Sequence, residues 1–113
     1  MDDSRIQGQA DNSIQCPDAK ATPDQVRDFI VELLTKRRNL HIDHARRIAS
    51  RWTMGTGQEL GAYPPTMFGE MFGYEPGLIV YKETRVALLD HSKAKHARVR
   101  AVVYKYVNYL YLL

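Results

Sequence analysis

The strongest constraint on the fold is a run of apolar residues at helical spacing directly behind a helix start signal. Thr22, Pro23 and Gln25 form that signal, because they supply a capping hydroxyl, a proline suited to the first helical position and the side chain that completes a capping box. Lys36–Arg38 follow as the cations that a helix dipole favours at its end. The pattern predicts an amphipathic helix. Its apolar stripe consists of Val26, Phe29, Ile30, Leu33 and Leu34.

A second amphipathic pattern runs from Ile42 to about Thr53. Its outer side is partly basic. The connection to the first helix, residues 39–41, is short, so the two helices are expected to pack together as neighbours. The apolar side of the second helix is formed by Ile42, Ala45, Ile48, Ala49 and Trp52.

Proline and glycine divide the next part of the chain. Pro65 predicts the start of a short helix that Gly73 ends, and residues 75–77, Glu-Pro-Gly, predict a turn. A last helix is predicted from about Ser92, a cap residue, to the end of the sequence. Its apolar stripe consists of Val99, Val103, Tyr106, Val107, Leu110 and Leu113.

Residues 78–89 fit two structures. Their apolar side chains occupy all sides of a helical wheel, and their content of isoleucine, valine, tyrosine and threonine suits a strand. Because a single strand is not stable and no partner strand is recognisable, a buried helix and one short β segment at 78–89 both remain open. The predicted fold class is mainly α, a small single-domain helical bundle of four to five helices over residues 22–113.

The first 21 residues differ from the rest in composition and charge. They are polar, lack periodicity and carry a net charge of −2, whereas residues 22–113 carry +5. They predict a disordered acidic tail in which the single cysteine, Cys16, is exposed. The start of the sequence lacks the basic and apolar parts of a signal peptide, and no apolar run is long enough for a transmembrane segment. We therefore expect an intracellular protein, cytoplasmic or nuclear.

The stretch MGTGQELG, residues 54–61, raises the question of a phosphate-binding loop. In a dinucleotide-binding unit such a loop follows a strand and presents amides at a helix start, whereas this stretch follows a predicted helix. The Gly-Lys-Ser/Thr motif of the other common phosphate loop does not occur. The sequence favours a bend, in which Gly55 or Gly57 ends the preceding helix in the left-handed conformation.

Histidines and carboxylates are scattered along the chain without a recognisable catalytic or metal-binding motif. The sequence contains no His-Glu-x-x-His, no pair of cysteines and no Gly-x-Ser-x-Gly. It therefore predicts no catalytic residues, no metal ligands and no cofactor. A small enzyme built around Asp90, His91 and a loop carboxylate ranks third among the functional hypotheses, after protein binding and nucleic-acid binding.

Methionine and aromatic residues are concentrated between prolines and glycines in residues 63–74. On a short helix, Met67 and Met71 share one side, and Phe68 and Phe72 share another. If one pair enters the core, the other is left for a protein partner, to which such side chains adapt well; alternatively, both pairs close the core. The leading hypothesis is a non-enzymatic protein-interaction module. Its predicted partner-binding residues are Tyr63, Met67, Phe68, Met71 and Phe72.

Nucleic-acid binding is the alternative function. The first two helices have the outline of a helix-turn-helix, and an isoelectric point near 9.1 lies at the lower limit for nucleic-acid-binding domains. The residues that would face a groove are His44, Arg47, Ser50 and Arg51. For the last helix, two interpretations stay open: its apolar stripe belongs to the core, or its basic face with tyrosines lies on an anionic membrane.

Overall fold

The computed structural model describes residues 14–112, and it describes the side chains of residues 14–93. This part of the chain contains five helices and no strand, which confirms the mainly α fold class. Helix α1 packs against α2 and α5, and α4 packs along the first part of α5. The bounds of the helices are α1 Pro23–Arg37, α2 Ile42–Ala49, α3 Gly57–Ala62, α4 Pro65–Phe72 and α5 Tyr74–Leu112.

Helix α1 begins with the predicted capping box. The hydroxyl of Thr22 accepts a hydrogen bond from the backbone N–H of Gln25 at 3.2 Å, and the backbone N–H of Thr22 donates to the Gln25 side chain at 2.9 Å. All five residues of the predicted α1 stripe are buried. The stripe forms the centre of the core because α2 and α5 both contact α1.

Helix α5 covers the residues of three separate sequence predictions. The open choice at residues 78–89 is settled as helix, the turn predicted at 75–77 lies in the first turn of α5, and Ser92 lies inside the helix. Gly73 explains the sharp junction, because its positive φ of 98° ends α4 and lets α5 begin at the next residue. Pro76 fits this position since the first-turn N–H groups of a helix have no intrahelical partner. Buried Val80, Thr84 and Ala87 define a single core-facing side of α5.

Helix α2 ends earlier than predicted, at Ala49 instead of Thr53. Trp52 lies beyond this end and is fully buried, with its indole N–H donating to the carbonyl of Gly55 at 2.7 Å. The guanidinium of Arg27 donates to the carbonyls of Trp52 and Thr53, at 2.6 and 3.0 Å. Helix α2 ends here because Arg27 of α1 holds the carbonyls of Trp52 and Thr53, and because the Trp52 indole is buried in the core.

The glycines of residues 54–61 form neither a phosphate cradle nor a left-handed cap. Gly55 and Gly57 do not have positive φ, so the predicted bend mechanism is wrong. A Cβ on Gly55 would lie 2.4 Å from the indole of Trp52, and one on Gly57 would lie 1.7 Å from the carbonyl oxygen of Asp18. Gly55 and Gly57 are therefore required for close packing.

The amides at the start of α3 are already occupied by the chain itself. Gly57 N–H donates to the carbonyl of Ala21 at 3.0 Å, and Gln58 N–H donates to the carbonyl of Ala19 at 3.1 Å. Thr56 donates from its backbone N–H and from its hydroxyl to the carboxylate of Glu59, each at 2.7 Å. These bonds, the backbone one above all, lower the pKa of Glu59. A phosphate would have to displace the Ala19 and Ala21 carbonyls from these amides.

Residues 14–21, which the sequence assigns to the disordered tail, lie against the helices. Ala21 is buried, and Ile14 and Cys16 are half-buried against the core. The prediction that Cys16 is exposed is therefore wrong, because its thiol donates to the carbonyl of Ala87 in α5 at 3.3 Å. Residues 1–13 of the predicted tail lie outside the described residues.

Among the described helices, including the 39-residue α5, none combines the length and the apolar character needed to cross a membrane.

Candidate functional site

Two of the five predicted partner-binding residues lie in the core. Phe68 and Phe72 are 1% and 4% exposed, so neither is accessible to a partner in this structure. The two phenylalanines lie on the side of α4 that faces α5. The Phe68 ring centroid is 5.4 Å from the Tyr81 centroid and 6.2 Å from the Trp52 centroid. This correction follows from the i, i+4 spacing, which buries both phenylalanines together once one of them enters the core.

The other three predicted residues are less buried. Tyr63 and Met71 are half-buried and pack against the core, with the Tyr63 ring centroid 5.6 Å from that of Trp52. Met67 is 38% exposed. Because α4 has only eight residues, turning its phenylalanines inward leaves one methionine at the surface and places the other at the edge of the core.

An apolar groove lies beside this segment, between the outer side of α4 and the first two turns of α5. It encloses about 400 Å³. Tyr74 and Leu78, one helical turn apart, supply its α5 side and are 82% and 43% exposed. We call it the α4–α5 groove. Its lining residues are Pro65, Thr66, Gly69, Glu70, Tyr74 and Leu78.

Close contact between two backbones fixes the shape of the α4–α5 groove. A Cβ on Gly77 would lie 2.4 Å from the carbonyl oxygen of Phe68 and 2.7 Å from the Cα of Gly69. The two helices therefore touch at Gly77 without an intervening side chain. This contact holds Gly69 and Leu78, on opposite walls of the groove, in a fixed relation. A pre-formed groove of this kind loses little entropy when it binds a partner.

One exposed carboxylate lines the α4–α5 groove, and a second follows the groove residue Tyr74 in the sequence. Glu70 lines the groove, and Glu75 lies beside Tyr74 in the first turn of α5. Neither carboxylate takes part in a salt bridge with a described basic side chain. The combination of apolar walls with the Glu70 carboxylate favours a partner that presents apolar residues next to a cation.

The four residues of the predicted nucleic-acid face are all exposed. His44 and Arg47 lie on α2, Ser50 follows at its C-terminal end, and Arg51 lies in the next turn. The hydroxyl of Ser50 donates to the carbonyl of Arg47 at 2.7 Å, so it is engaged with its own backbone. The structure thus places the cations of this set at the surface.

The connection between α1 and α2 contains a left-handed residue. Asn39 has φ 57°, the conformation that glycine adopts in many tight turns and that asparagine tolerates better than most residues. The turn therefore forms without the glycine that a helix-turn-helix commonly has between its helices.

A cleft of about 500 Å³ brings together groups that are far apart in the sequence. Cys16 and His91 line it together with Asp28 and Glu32 of α1, whereas Asp90 does not line it. Burial raises the pKa of the Cys16 thiol, although the nearby charge of Arg37 opposes this effect. Since a nucleophilic cysteine requires a lowered pKa, the cleft does not activate this thiol. Among the described side chains, no three potential ligands are close enough to hold a metal ion.

Sequence reasoning missed Tyr74 and Leu78 because the predicted turn at 75–77 concealed their helical spacing. It also missed the cleft, for which the i, i+4 pair Asp28 and Glu32 was the only local signal. Comparison of this chain with protein families, with curated proteins and with solved structures gives no match.

Proposed function

We propose that this chain is a protein-interaction module that binds an amphipathic helix of a partner protein in the α4–α5 groove. The observation that carries the proposal is the pair Tyr74 and Leu78, exposed one turn apart on the wall of a pre-formed apolar groove. The proposed function is the one predicted from the sequence, but its binding residues are Tyr74 and Leu78 instead of Phe68 and Phe72.

A helical partner fits the chemistry of the α4–α5 groove best. Grooves between two helices accept the apolar side of a third helix, which inserts side chains spaced three or four residues apart. Tyr74 offers a large, rigid contact surface of the type that often dominates binding energy. Glu70, which lines the groove, selects a partner helix with lysine or arginine beside its apolar residues.

Leu78→Asp should weaken binding of such a helix by at least about tenfold, because it places an unpaired charge in an apolar wall. The measurement uses a displayed library of helical peptides selected on the full chain, followed by affinity measurements on synthetic peptides. Selected peptides should share apolar residues at i and i+4 and at least one lysine or arginine. Met54→Asp is the matched control, since Met54 is 83% exposed and lies outside the groove. Peptides that bind the Leu78→Asp protein as tightly as the original chain contradict the proposal.

Nucleic-acid binding by the α2 face is the second candidate, favoured by the exposure of His44, Arg47 and Arg51 and by the left-handed Asn39 in the turn. We expect gel shifts with duplex or single-stranded oligonucleotides at low salt that weaken steeply as salt is raised. Arg47→Ala combined with Arg51→Ala should abolish the shift. Absence of a shift at low salt, or a shift that the double variant retains, removes this candidate.

A further inference from the structure

The outward side of α5 carries apolar and basic residues together. It lies opposite the buried side formed by Val80, Thr84 and Ala87. Leu78, Val86 and Leu89 on this outward side are 43%, 37% and 57% exposed, although leucine and valine are usually buried. Between and beyond them are the exposed residues Lys82, Arg85 and Lys93. We call this surface the α5 outward face.

The backbone of α5 is much longer than its described core-facing side. Ala87 is buried in the core, yet the helix continues without interruption to Leu112. At 1.5 Å per residue, the 39 residues of α5 extend for about 58 Å.

The charge of this region has one sign. From His91 to Leu113 the sequence contains five lysine and arginine residues and neither aspartate nor glutamate. The acidic residues of α5 are all earlier: Glu83 is paired with Arg38 at 2.7 Å, Glu75 lies at the first turn, and Asp90 is exposed beside the face. A segment of this composition favours an anionic partner over a cationic one.

We propose that the α5 outward face binds the surface of an anionic lipid bilayer, with the helix axis parallel to the membrane plane. A helix with lysine and arginine beside leucine, valine and tyrosine inserts its apolar side chains among the headgroups, while its cations pair with anionic lipids. A second copy of the chain packed on this face would bring its own Lys82, Arg85 and Lys93 against the same three cations, which like-charge repulsion disfavours. A nucleic acid would use the cations but would leave the leucine and valine side chains exposed to water.

The experiment measures cosedimentation of the full chain with vesicles at about 0.1 M salt. One set of vesicles contains phosphatidylcholine with about 30% phosphatidylserine, and the other contains phosphatidylcholine alone. We expect at least about tenfold stronger binding to the anionic set. Lys82→Gln combined with Lys93→Gln should weaken it about thirtyfold, from about 1 kcal/mol per lost cation. Arg47→Gln combined with Arg51→Gln is the matched control, because it removes the same charge from α2.

Leu89→Gln provides a second variant, independent of charge, which should weaken vesicle binding about tenfold. Circular dichroism of each variant shows whether the helices are retained, as expected for exposed positions. Equal binding to both vesicle sets, no binding, or equal losses in the Lys82/Lys93 and Arg47/Arg51 variants would overturn the proposal. It would also be overturned if Leu89→Gln dissociated a dimer without changing vesicle binding. All of these substitutions lie outside the α4–α5 groove, so failure here leaves the peptide-binding proposal untouched.

Discussion

Replacing Phe68 by alanine should lower the free energy of unfolding by about 3–5 kcal/mol, the range for removal of a fully buried phenylalanine. The ring lies among Trp52, Phe72 and Tyr81, with centroid distances of 6.2, 6.0 and 5.4 Å. Its loss leaves a cavity at the junction of α4 with α5 and removes the aromatic contacts as well. Urea denaturation followed by circular dichroism measures the change.

Met67→Ala is the matched control for Phe68→Ala, because Met67 is the preceding residue of the same short helix and is 38% exposed. It should change the stability by no more than about 1 kcal/mol. If the two variants have equal stability and Phe68→Ala reduces peptide binding, the burial of Phe68 is wrong. In that case the original assignment of Phe68 as a partner-binding residue would be reinstated.

Replacing Gly57 by alanine should be the second most damaging of these substitutions, with a loss of about 2–3 kcal/mol. The added methyl group would lie 1.7 Å from the carbonyl oxygen of Asp18, and that oxygen belongs to the backbone instead of to a flexible side chain. The clash should separate residues 18–21 from α3 and break the hydrogen bonds that Gly57 and Gln58 donate to Ala21 and Ala19. Hydrogen exchange of these two amides, together with urea denaturation, measures both effects.

Gly61→Ala in the same helix is the matched control, because a Cβ on Gly61 would have no atom within 4 Å. Alanine has the higher helix propensity, so this change should be neutral or stabilising by up to about 1 kcal/mol. A Gly57→Ala protein as stable as the Gly61→Ala protein would show that residues 18–21 do not pack closely on α3.

The Phe68→Ala and Gly57→Ala predictions bear on function because both residues lie in segments that suggested a binding site. The two measurements show whether these residues belong to the core or to the surface. The glycine stretch and the phenylalanines both have structural roles. The surfaces proposed for binding are the α4–α5 groove, the basic side of α2 and the α5 outward face. Leu78 belongs to both the groove and the outward face, whereas Lys82, Lys93 and Leu89 test the outward face alone.

Local signals in the sequence predicted several elements correctly. The capping box of Thr22 and Gln25 predicted the start of α1, its apolar spacing predicted five buried residues, and Gly73 predicted the end of α4. Each of these features depends on interactions within one or two helical turns. A residue and its neighbours three or four positions away are sufficient to specify them.

The predictions that failed depend on contacts between distant parts of the chain. The choice of Phe68 and Phe72 over Met67 for the core depends on where α5 lies, and the continuity of α5 hid the groove residues Tyr74 and Leu78. The same holds for the α4–α5 groove itself, which exists only because Gly77 lets two backbones touch.

The amino-acid sequence by itself determined that this chain is helical, where its first helix starts and which residues form the central stripe, because hydrogen bonds and side-chain spacing within a single helix encode these features. Only the tertiary structure decided why Gly57 must be glycine and which side of α4 is accessible. Those answers require two segments, such as Asp18 and Gly57, to meet in space, and no local pattern records the distance between them.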